Sequence, residues 1–546
     1  MKNILYLSSL IFFISCANKL KADLLVKNAT IYTVNENFDL AEAFVIKDGK
    51  VEDVGRLQDL EKKYEFSETY DANHQTIIPG IIDAHAHLMY LGTSLQQVDL
   101  TGTNSYQEVL KRVLDFQKKN KTTYLIGRGW DQNDWEIKKF PTKKELDSLF
   151  PNLPVSLERI DGHAMIVNTK ALNLANINSK TKVPGGKVML MEGEPSGILI
   201  DAPMQLVWNT YPKQDKNFYI KALKDAENKC LSLGLTTVDE AGTDRSTIAL
   251  MDSLQKTGDM VLRIYAMITK DKKDLNYFLT KGIVKTDRMH VRSVKIWADG
   301  SLGSRGAAMR EYYSDQDGHH GTMITSEKEL DSLAEIIAKA DYQMNTHAIG
   351  DSANSTVLRV YTESLKNIKD PRWRVEHAQI VTPKDFNYFS RKIIPSIQPT
   401  HATSDMYWVK DRIGSDRMEG SYSYKTLLGK SGLVALGTDF PIETVNPMLT
   451  FYAAITRKDL KDYPEKGFRM EEGLTREETL KGMTIWAAYS NFEEKEKGSI
   501  EKGKLADFIV LDHNIMTVPP KEIPTIKVVA NFINGKMVFD RSTSNY

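Results

Sequence analysis

Eight short apolar segments alternate with stretches of helical periodicity, and this alternation constrains the fold more than any other feature of the chain. Short apolar runs are typical of strands buried on both faces, and the stretches between them are typical of helices that cover a parallel sheet. The pattern predicts an α/β protein with a (β/α)8 TIM barrel, although an open, doubly wound sheet would show the same alternation. The predicted strands are residues 77–83, 235–240, 261–268, 291–298, 342–346, 373–377, 393–398 and 433–438.

The spacing of these strands indicates further domains. Successive strands begin about twenty to forty-five residues apart, but about 150 residues separate the first from the second. We therefore expect an α/β subdomain inserted at about residues 91–221 of a barrel that spans residues 76–499. Both ends of the chain carry strand-like segments with Asp-Gly and Asn-Gly turns, which are typical of hairpins. Residues 21–75 and 500–546 are expected to form one small composite β-sandwich domain.

The N-terminal segment reads as a targeting sequence. Lys2 precedes an apolar run over residues 4–14, which is shorter than the roughly 20 residues needed to cross a bilayer but suits a secretory signal. The run ends at Ser15 and Cys16, a sequence typical of a bacterial lipoprotein. We expect residues 1–15 to be a lipoprotein signal peptide and Cys16 to be lipidated, with a plain secretory signal as the alternative. The mature protein is then expected in the bacterial cell envelope, with membrane contact through the lipid anchor alone.

The composition of the chain limits the classes of function and site that it can carry. Lys plus Arg and Asp plus Glu both total 72, and the zero net charge argues against nucleic-acid binding. Two cysteines cannot build a disulfide framework or a thiolate zinc site. Glycine-rich phosphate loops and the nucleophile elbow of serine hydrolases are missing at the expected spacings. The eleven histidines are therefore the main candidates for reactive groups.

Ligand-type residues occur at the ends of the predicted strands. His85 and His87 follow the first strand at a spacing of two, which places both side chains on one side of an extended segment. Lys295 lies inside an apolar strand, where an ammonium group is unusual. The fifth, sixth and eighth strands end at His347, His377 and Asp439. Because barrel enzymes carry their active sites at the C-terminal ends of the strands, these positions predict one shared site.

Several motifs give the chain a specific resemblance over nearly its whole mature length. They are Pro-Gly-Ile-Ile-Asp-Ala-His-Ala-His at residues 79–87, Asp-Gly-His-Ala at 161–164, Val-Lys-Ile-Trp-Ala-Asp-Gly-Ser-Leu-Gly-Ser-Arg at 294–305, Thr-His-Ala-Ile-Gly-Asp at 346–351, Val-Glu-His-Ala-Gln at 375–379, Gly-Thr-Asp-Phe-Pro at 437–441 and Gly-Lys-Leu-Ala-Asp-Phe at 503–508. In this combination the sequence resembles the amidohydrolase superfamily, in particular the family-3 branch that includes N-substituted formamide deformylases. The resemblance implies a barrel with one or two divalent metals and a flanking β-sandwich.

The resemblance also implies a ligand set. His85, His87 and Asp439 would bind a first metal, and His347 and His377 a second. Lys295 would bridge the two as a carbamate formed with carbon dioxide, or would be a paired structural lysine with one metal bound elsewhere. Imidazole and carboxylate ligands suit Zn²⁺, so two Zn²⁺ ions are expected, with one also possible.

Other residues receive roles from the same resemblance. Asp439 is expected to be the catalytic proton shuttle as well as a ligand. His163, Arg305 and His401 are expected to bind substrate. His163 could instead be a satisfied loop histidine, and Arg305 could instead anchor the glycine-rich loop that follows the fourth strand.

The function expected from this set is metal-dependent hydrolysis of a carbon–nitrogen bond in a small, non-peptide amide. The alternatives are a deaminase or cyclic amidase of the same fold, or an inactive lipoprotein that binds ligands. His347 is followed by Ala-Ile-Gly-Asp, which departs from the His-x-x-Glu arrangement of mononuclear deaminases. The sequence predicts neither the substrate within the amide class nor the oligomeric state.

Overall fold

The computed structural model describes residues 19–160, 162–184 and 186–544. The predicted signal peptide, Cys16 and Asp161 therefore lie outside the described residues. The chain divides into two compact units. The second unit is His87–Lys229, and the first holds the described residues up to Ala86 and from Cys230 onwards. Within the described ranges, no helix is both long and apolar enough to span a membrane.

Eight parallel strands form the central sheet of the first unit, and they pair in the order of the sequence. The last strand is tied back to the first, because the Asp439 N–H donates to the His85 carbonyl at 2.7 Å and the Thr438 hydroxyl donates to Asp83 at 2.7 Å. The prediction of a (β/α)8 barrel is confirmed. The strands, numbered in chain order, are Ile81–Ala86 (β1), Leu235–Thr243 (β2), Arg263–Thr269 (β3), Met289–Trp297 (β4), Gln343–Ala348 (β5), Trp373–His377 (β6), Ile393–Ile397 (β7) and Ala435–Leu436 (β8).

Helices and short strands accompany this sheet. The helix that follows β2 shows how the sequence sets its limits: the Asp244 side chain accepts from two backbone N–H groups at its start, and Gly258, at φ +78°, ends it. Val284–Lys285 is a ninth, antiparallel strand at the edge of β4. The helices of the first unit are Leu57–Lys63, Arg245–Thr257, Lys272–Lys281, Glu327–Lys339, Asp351–Ser364, Pro399–Asp405, Val409–Ile413, Tyr424–Ser431, Pro447–Thr456, Arg476–Gly482 and Ile485–Ser490.

The predicted first strand is in fact two strands. Thr76–Pro79 belongs to a small sheet and only Ile81–Ala86 belongs to the barrel. Gly80 separates them, and a Cβ atom at this position would lie 2.4 Å from the Thr236 side chain, so only glycine fits. An apolar run that passes from one sheet to the next cannot be divided by its hydrophobicity alone.

Two further sheets of the first unit pack as a β-sandwich around an apolar core that includes Phe44, Phe508 and Phe532. Because the second sheet draws strands from both ends of the chain, the expected composite sandwich is confirmed as part of the fold. The four-stranded sheet has the order Lys50–Gly55, Ala43–Lys47, Leu20–Lys27, Tyr64–Asp71. The six-stranded sheet has the order Lys536–Asp540, Val528–Ile533, Phe508–Leu511, Thr76–Pro79, Thr30–Tyr32, Leu40–Ala41.

The second unit is a separate α/β body inserted after β1, as predicted. Its core holds Trp130 and Trp135, whose indole N–H groups donate to backbone carbonyls at 2.7 and 3.0 Å. Its six strands have the order Gly186–Met191, Glu194–Asp201, Ala164–Val167, Val155–Arg159, Leu125–Trp130, Val98–Asp99. Its helices are Leu88–Ser94, Tyr106–Asn120, Lys144–Leu149, Thr169–Leu174, Met204–Trp208 and the greater part of Lys216–Ser232.

Candidate metal centre

Three ligand-type side chains meet at the C-terminal end of the barrel. His85, His377 and Asp439 each present one ligand atom, and these atoms all lie within 4.8 Å of one another. All three residues are buried, and the imidazole centroids of the two histidines are 4.8 Å apart. Strands β1 and β6 and the residues after β8 therefore bring together groups that are far apart in sequence.

Two of these residues have unusual backbone geometry. His377, the last residue of β6, has φ +72°, and Asp439, three residues beyond β8, has φ +62°. A left-handed conformation is uncommon for residues other than glycine, although aspartate and histidine adopt it more readily than most. Such conformations cluster at functional sites, where the surrounding structure holds them.

Lys295 and His347 extend the cluster. The Lys295 amine lies 3.0 Å from His85 Nε2, and burial lowers the pKa of Lys295 to about 8. The His347 ring lies 4.5 Å from that of His377, between centroids. His347 Nε2 is buried and has no hydrogen-bond partner among the described residues, and an Asp299 oxygen lies 3.6 Å from it. Buried imidazole nitrogens normally have a partner, so this atom is free to bind a group that the described residues do not supply.

The histidines are prepared as neutral ligands. Burial, followed by the charge of Lys295, lowers the pKa of His85 to about 4 and that of His347 to about 3. Burial also holds the pKa of His377 well below its ordinary value. Because a metal binds the unprotonated ring, three neutral imidazoles beside a carboxylate fit a divalent cation with nitrogen and oxygen ligands.

A buried ion-pair network orients the cluster of ligand-type side chains, and the sequence analysis did not identify this network. The His85 Nδ1 atom is hydrogen-bonded to Glu376 at 2.5 Å, and Arg374 donates to both Glu376 and Asp239 at 2.7 Å. Burial alone would raise the pKa of Glu376, but the Arg374 guanidinium and His85 hold it well below its usual range. A ligand histidine held by a carboxylate has a fixed ring orientation and tautomer. The alternation of Arg374 and Glu376 within a buried strand was the available signal.

His377 and the predicted substrate residue His401 have partners of their own. The His377 Nδ1 atom is hydrogen-bonded to Gln398 at 2.7 Å. His401 Nε2 lies 3.1 Å from Asp439, and its Nδ1 atom lies 3.1 Å from Glu443. Burial would lower the pKa of His401, but these two carboxylates hold it well above its ordinary value. His401 is thus placed beside the proposed proton shuttle.

Arg305 lies in the long loop after β4, where it forms a two-point ion pair with Asp315 at 2.8 and 3.0 Å. Asp315 also accepts from Arg412, so one carboxylate joins the loop to the helix Val409–Ile413. This contact corresponds to the loop-anchoring alternative. The expected role of Arg305 in substrate binding stays a prediction.

The two remaining predicted residues lie in the second unit. His87 is half-buried and directly precedes the helix Leu88–Ser94. His163 is exposed, and its Nδ1 atom is hydrogen-bonded to Asp201 at 2.8 Å. The structure thus brings His85, Lys295, His347, His377, His401 and Asp439 together in the first unit.

Comparison with known proteins agrees with this geometry. A putative amidohydrolase, YtcJ of Bacillus subtilis, is 31% identical over 94% of this chain and 98% of its own. The N-substituted formamide deformylase of Arthrobacter pascens is 26% identical over 96% of this chain and 99% of its own.

A solved structure and a family model extend the comparison. The crystal structure of an uncharacterized metal-dependent hydrolase from Pyrococcus horikoshii superposes with a TM-score of 0.75 at 27% identity, over 91% of this chain and 99% of that one. The family model described as "Amidohydrolase family" matches residues 68–539, which include the barrel, the inserted unit and the C-terminal strands of the sandwich. The chain therefore belongs to the amidohydrolase family.

Proposed function

We propose that this protein hydrolyses a carbon–nitrogen bond of a small, non-peptide amide with the help of a bound divalent metal. The observation that carries the proposal is the buried group of His85, His377 and Asp439, with the Nε2 atom of His347 beside it, which has no hydrogen-bond partner in the part of the chain that the structure describes. The printed name of the Arthrobacter relative, which aligns over nearly the full length of both chains, supports an amide substrate.

The proposed ligands are those expected from the sequence. Within the first unit, His85 and Asp439 would hold one ion, His347 and His377 a second, and Lys295 would join them as a carbamate. His87, in the second unit, stays a ligand expected from the sequence alone. Zn²⁺ suits these nitrogen and oxygen donors. When bound at such a site, a divalent ion acts as a Lewis acid and lowers the pKa of water towards ~7.

The protein's own residues then manage the proton. Asp439 accepts a proton from the attacking water, whose oxygen forms the new bond to the carbonyl carbon. The carbon–nitrogen bond breaks, and Asp439 returns the proton to the leaving nitrogen, so the products are an amine and a carboxylic acid. His401 fixes the Asp439 carboxylate at 3.1 Å, and Glu443 holds His401 from its other side.

A substrate panel tests the proposal. Full-length protein reconstituted with Zn²⁺ is assayed on N-formyl, N-acyl and cyclic amides, with release of the amine as the readout. We expect turnover on at least one class, which is lost on chelation and restored by Zn²⁺. A fully metal-loaded protein without turnover on any class would contradict a hydrolase and favour the ligand-binding alternative. Release of ammonia from amino-substituted rings would favour a deaminase.

The bridging role of Lys295 has its own test. Lys295→Ala is expected to lower bound metal and activity together, and short carboxylic acids are expected to restore part of both because they replace the bridging oxygens. Sodium chloride at equal ionic strength is the control for the acid. Full activity and full metal content in the variant would exclude the bridge.

We also propose that the protein is exported and anchored by a lipid on Cys16. The support is the sequence alone: an eleven-residue apolar run that ends at Ser15-Cys16. Cys16→Ser is expected to release the protein from the membrane fraction of its bacterial host. Mass spectrometry of the native N-terminus decides it, since an unlipidated terminus beyond Cys16 excludes the anchor.

A further inference from the structure

Asn345 is a buried polar residue of the barrel, and the described residues supply no hydrogen-bond partner for its side chain. It is fully buried on β5, and both its Nδ2 and its Oδ1 atoms lack a hydrogen-bond partner among the described residues. A buried amide without partners pays the full cost of lost solvation, so groups in this state are rare in native proteins. One polar group, or a pair of them, is therefore expected to meet this side chain in the active protein.

The strand geometry shows where that group must be. Thr346, the next residue, receives a hydrogen bond from Tyr361 in the covering helix Asp351–Ser364, so its side chain faces outward. Because side chains alternate along a strand, Asn345 and His347 face the barrel interior. In register, Asn345 lies between Lys295 on β4 and Arg374 on β6.

We propose that Asn345 is a positioning residue that binds the carbamate formed on Lys295. The inference rests on the proposed function, in which Lys295 bridges two metals. In forming the carbamate, the Lys295 nitrogen bonds to the carbon of carbon dioxide and one proton leaves to solvent. The product has one N–H donor and two oxygen acceptors. The carboxamide of Asn345 offers the complementary pair, an Oδ1 acceptor for the N–H and an Nδ2 donor for an oxygen.

The unmodified lysine leaves both polar atoms of Asn345 without a hydrogen-bond partner among the described residues. An ammonium group carries three donors and no acceptor, so it can meet Oδ1 but never Nδ2. Arg374, the other neighbour in register, is likewise a donor only, and its nitrogens already bond to Glu376, Asp239 and Ala84. Neither neighbour in register therefore offers Nδ2 an acceptor, and a group added to the site would supply one.

The test is a direct count of carbamate. Full-length wild type, Asn345→Leu and Thr450→Val are loaded with Zn²⁺ in ¹³C-labelled bicarbonate, and the carbamate carbon is measured by NMR. Thr450 is the matched control, because its hydroxyl is also buried and unpartnered among the described residues but lies in the helix Pro447–Thr456. We expect equal carbamate in wild type and Thr450→Val. At limiting bicarbonate, Asn345→Leu should hold at least about tenfold less, because it loses hydrogen bonds to a charged group.

A second variant keeps the test valid if Asn345→Leu does not fold. Asn345→Asp keeps the side-chain shape but places a negative charge against the carbamate oxygens, so it is also expected to lower the carbamate. Circular dichroism confirms the fold of each variant. Undiminished carbamate in a folded Asn345→Leu protein would overturn the inference and assign a buried water to Asn345, while the bridge itself would stand. A wild type without any carbamate signal at full Zn²⁺ loading would overturn the bridge, and the inference with it.

Discussion

The barrel and the β-sandwich both have buried interiors within the first unit, but the side chains that fill them differ in polarity. The sandwich core is apolar and aromatic: Phe508 stacks on Phe532 at 4.3 Å and meets Phe44 edge-on at 5.0 Å, between ring centroids. The barrel interior instead places Arg374 between Asp239 and Glu376, all without solvent exposure.

The difference reflects what each interior must hold in place. Burial of apolar surface is strong but non-directional, and a stacked ring can shift by tenths of an ångström at little cost. Paired charges and hydrogen bonds are directional, but they are costly when one partner is missing. Only the second arrangement can hold the His85 ring at a fixed angle through Glu376, which is what a metal ligand requires.

The strongest test of this comparison is Arg374→Met. Because Asp239 and Glu376 would stay buried without their cation, we expect the free energy of unfolding to fall by about 4 kcal/mol. Bound Zn²⁺ should fall as well, since Glu376 would no longer hold His85 in one orientation. Urea unfolding and metal analysis measure the two effects. Unchanged metal content in a folded variant would show that the network stabilises the barrel without orienting the ligands.

Phe508→Ala is the matching change in the sandwich. Removal of a fully packed ring leaves a cavity, and we expect a loss of about 3 kcal/mol in the free energy of unfolding. Because the sandwich holds none of the proposed ligands, Zn²⁺ content and turnover per folded molecule should stay at the wild-type level. A parallel loss of metal would show that the two interiors are coupled, contrary to the comparison.

Asp439→Asn tests catalysis and not the stability of either interior. The change keeps the side-chain size and removes the basic carboxylate, so we expect turnover on a responsive amide to fall at least about 100-fold, or ~2.7 kcal/mol of barrier. Circular dichroism should remain unchanged. Turnover is compared with wild type at matched Zn²⁺ occupancy. More than about a tenth of wild-type activity would place the proton shuttle elsewhere, with His401 as the next candidate.

The smallest effect is expected on the outer surface of the barrel. Asp244→Ala removes the helix cap that accepts from the Ser246 and Thr247 N–H groups, at a cost of about 1 kcal/mol. Asp244→Asn keeps a capping oxygen and should lose less. Burial alone would raise the pKa of Asp244, but hydrogen bonds from the hydroxyl and backbone N–H groups of Ser246 and Thr247 hold this pKa below its ordinary value of 3.8. The free energy of unfolding of wild type is therefore higher than that of Asp244→Asn above pH 3.8. This difference disappears as the pH falls through the pKa of Asp244 in the folded protein. Urea unfolding at several pH values measures it.

Much of the fold could be predicted from the sequence because its signals are local. Every predicted barrel strand overlaps an observed one, since a strand buried on both faces must be apolar throughout. The same reasoning identified Lys295, because an amine inside an apolar strand indicates that the side chain has a special environment. His377 and Asp439 were identifiable because barrel enzymes place functional groups where strands end.

Other features depended on contacts between distant segments. The sequence offers no means to choose between substrate binding and loop anchoring for Arg305, because Asp315 reaches Arg305, and Arg412 reaches Asp315, only through the folded loop. The orientation of His85 by Glu376 joins residues 291 positions apart. Gly80 divides one apolar run into strands of two sheets because of Thr236, which is equally invisible in the local pattern.

The sequence by itself determined the alternation of strands and helices, the strand-like segments at both ends of the chain and the residue types at the strand ends, because periodicity and strand ends are properties of short segments. Only the tertiary structure decided which of those residues meet, which are paired, and which polar atoms have no hydrogen-bond partner among the described residues, as is the case for His347 Nε2 and the Asn345 amide. The physical reason is that hydrogen bonds and ion pairs act over about 3 Å and depend on angle. Whether two side chains satisfy each other is therefore fixed by the closure of the barrel.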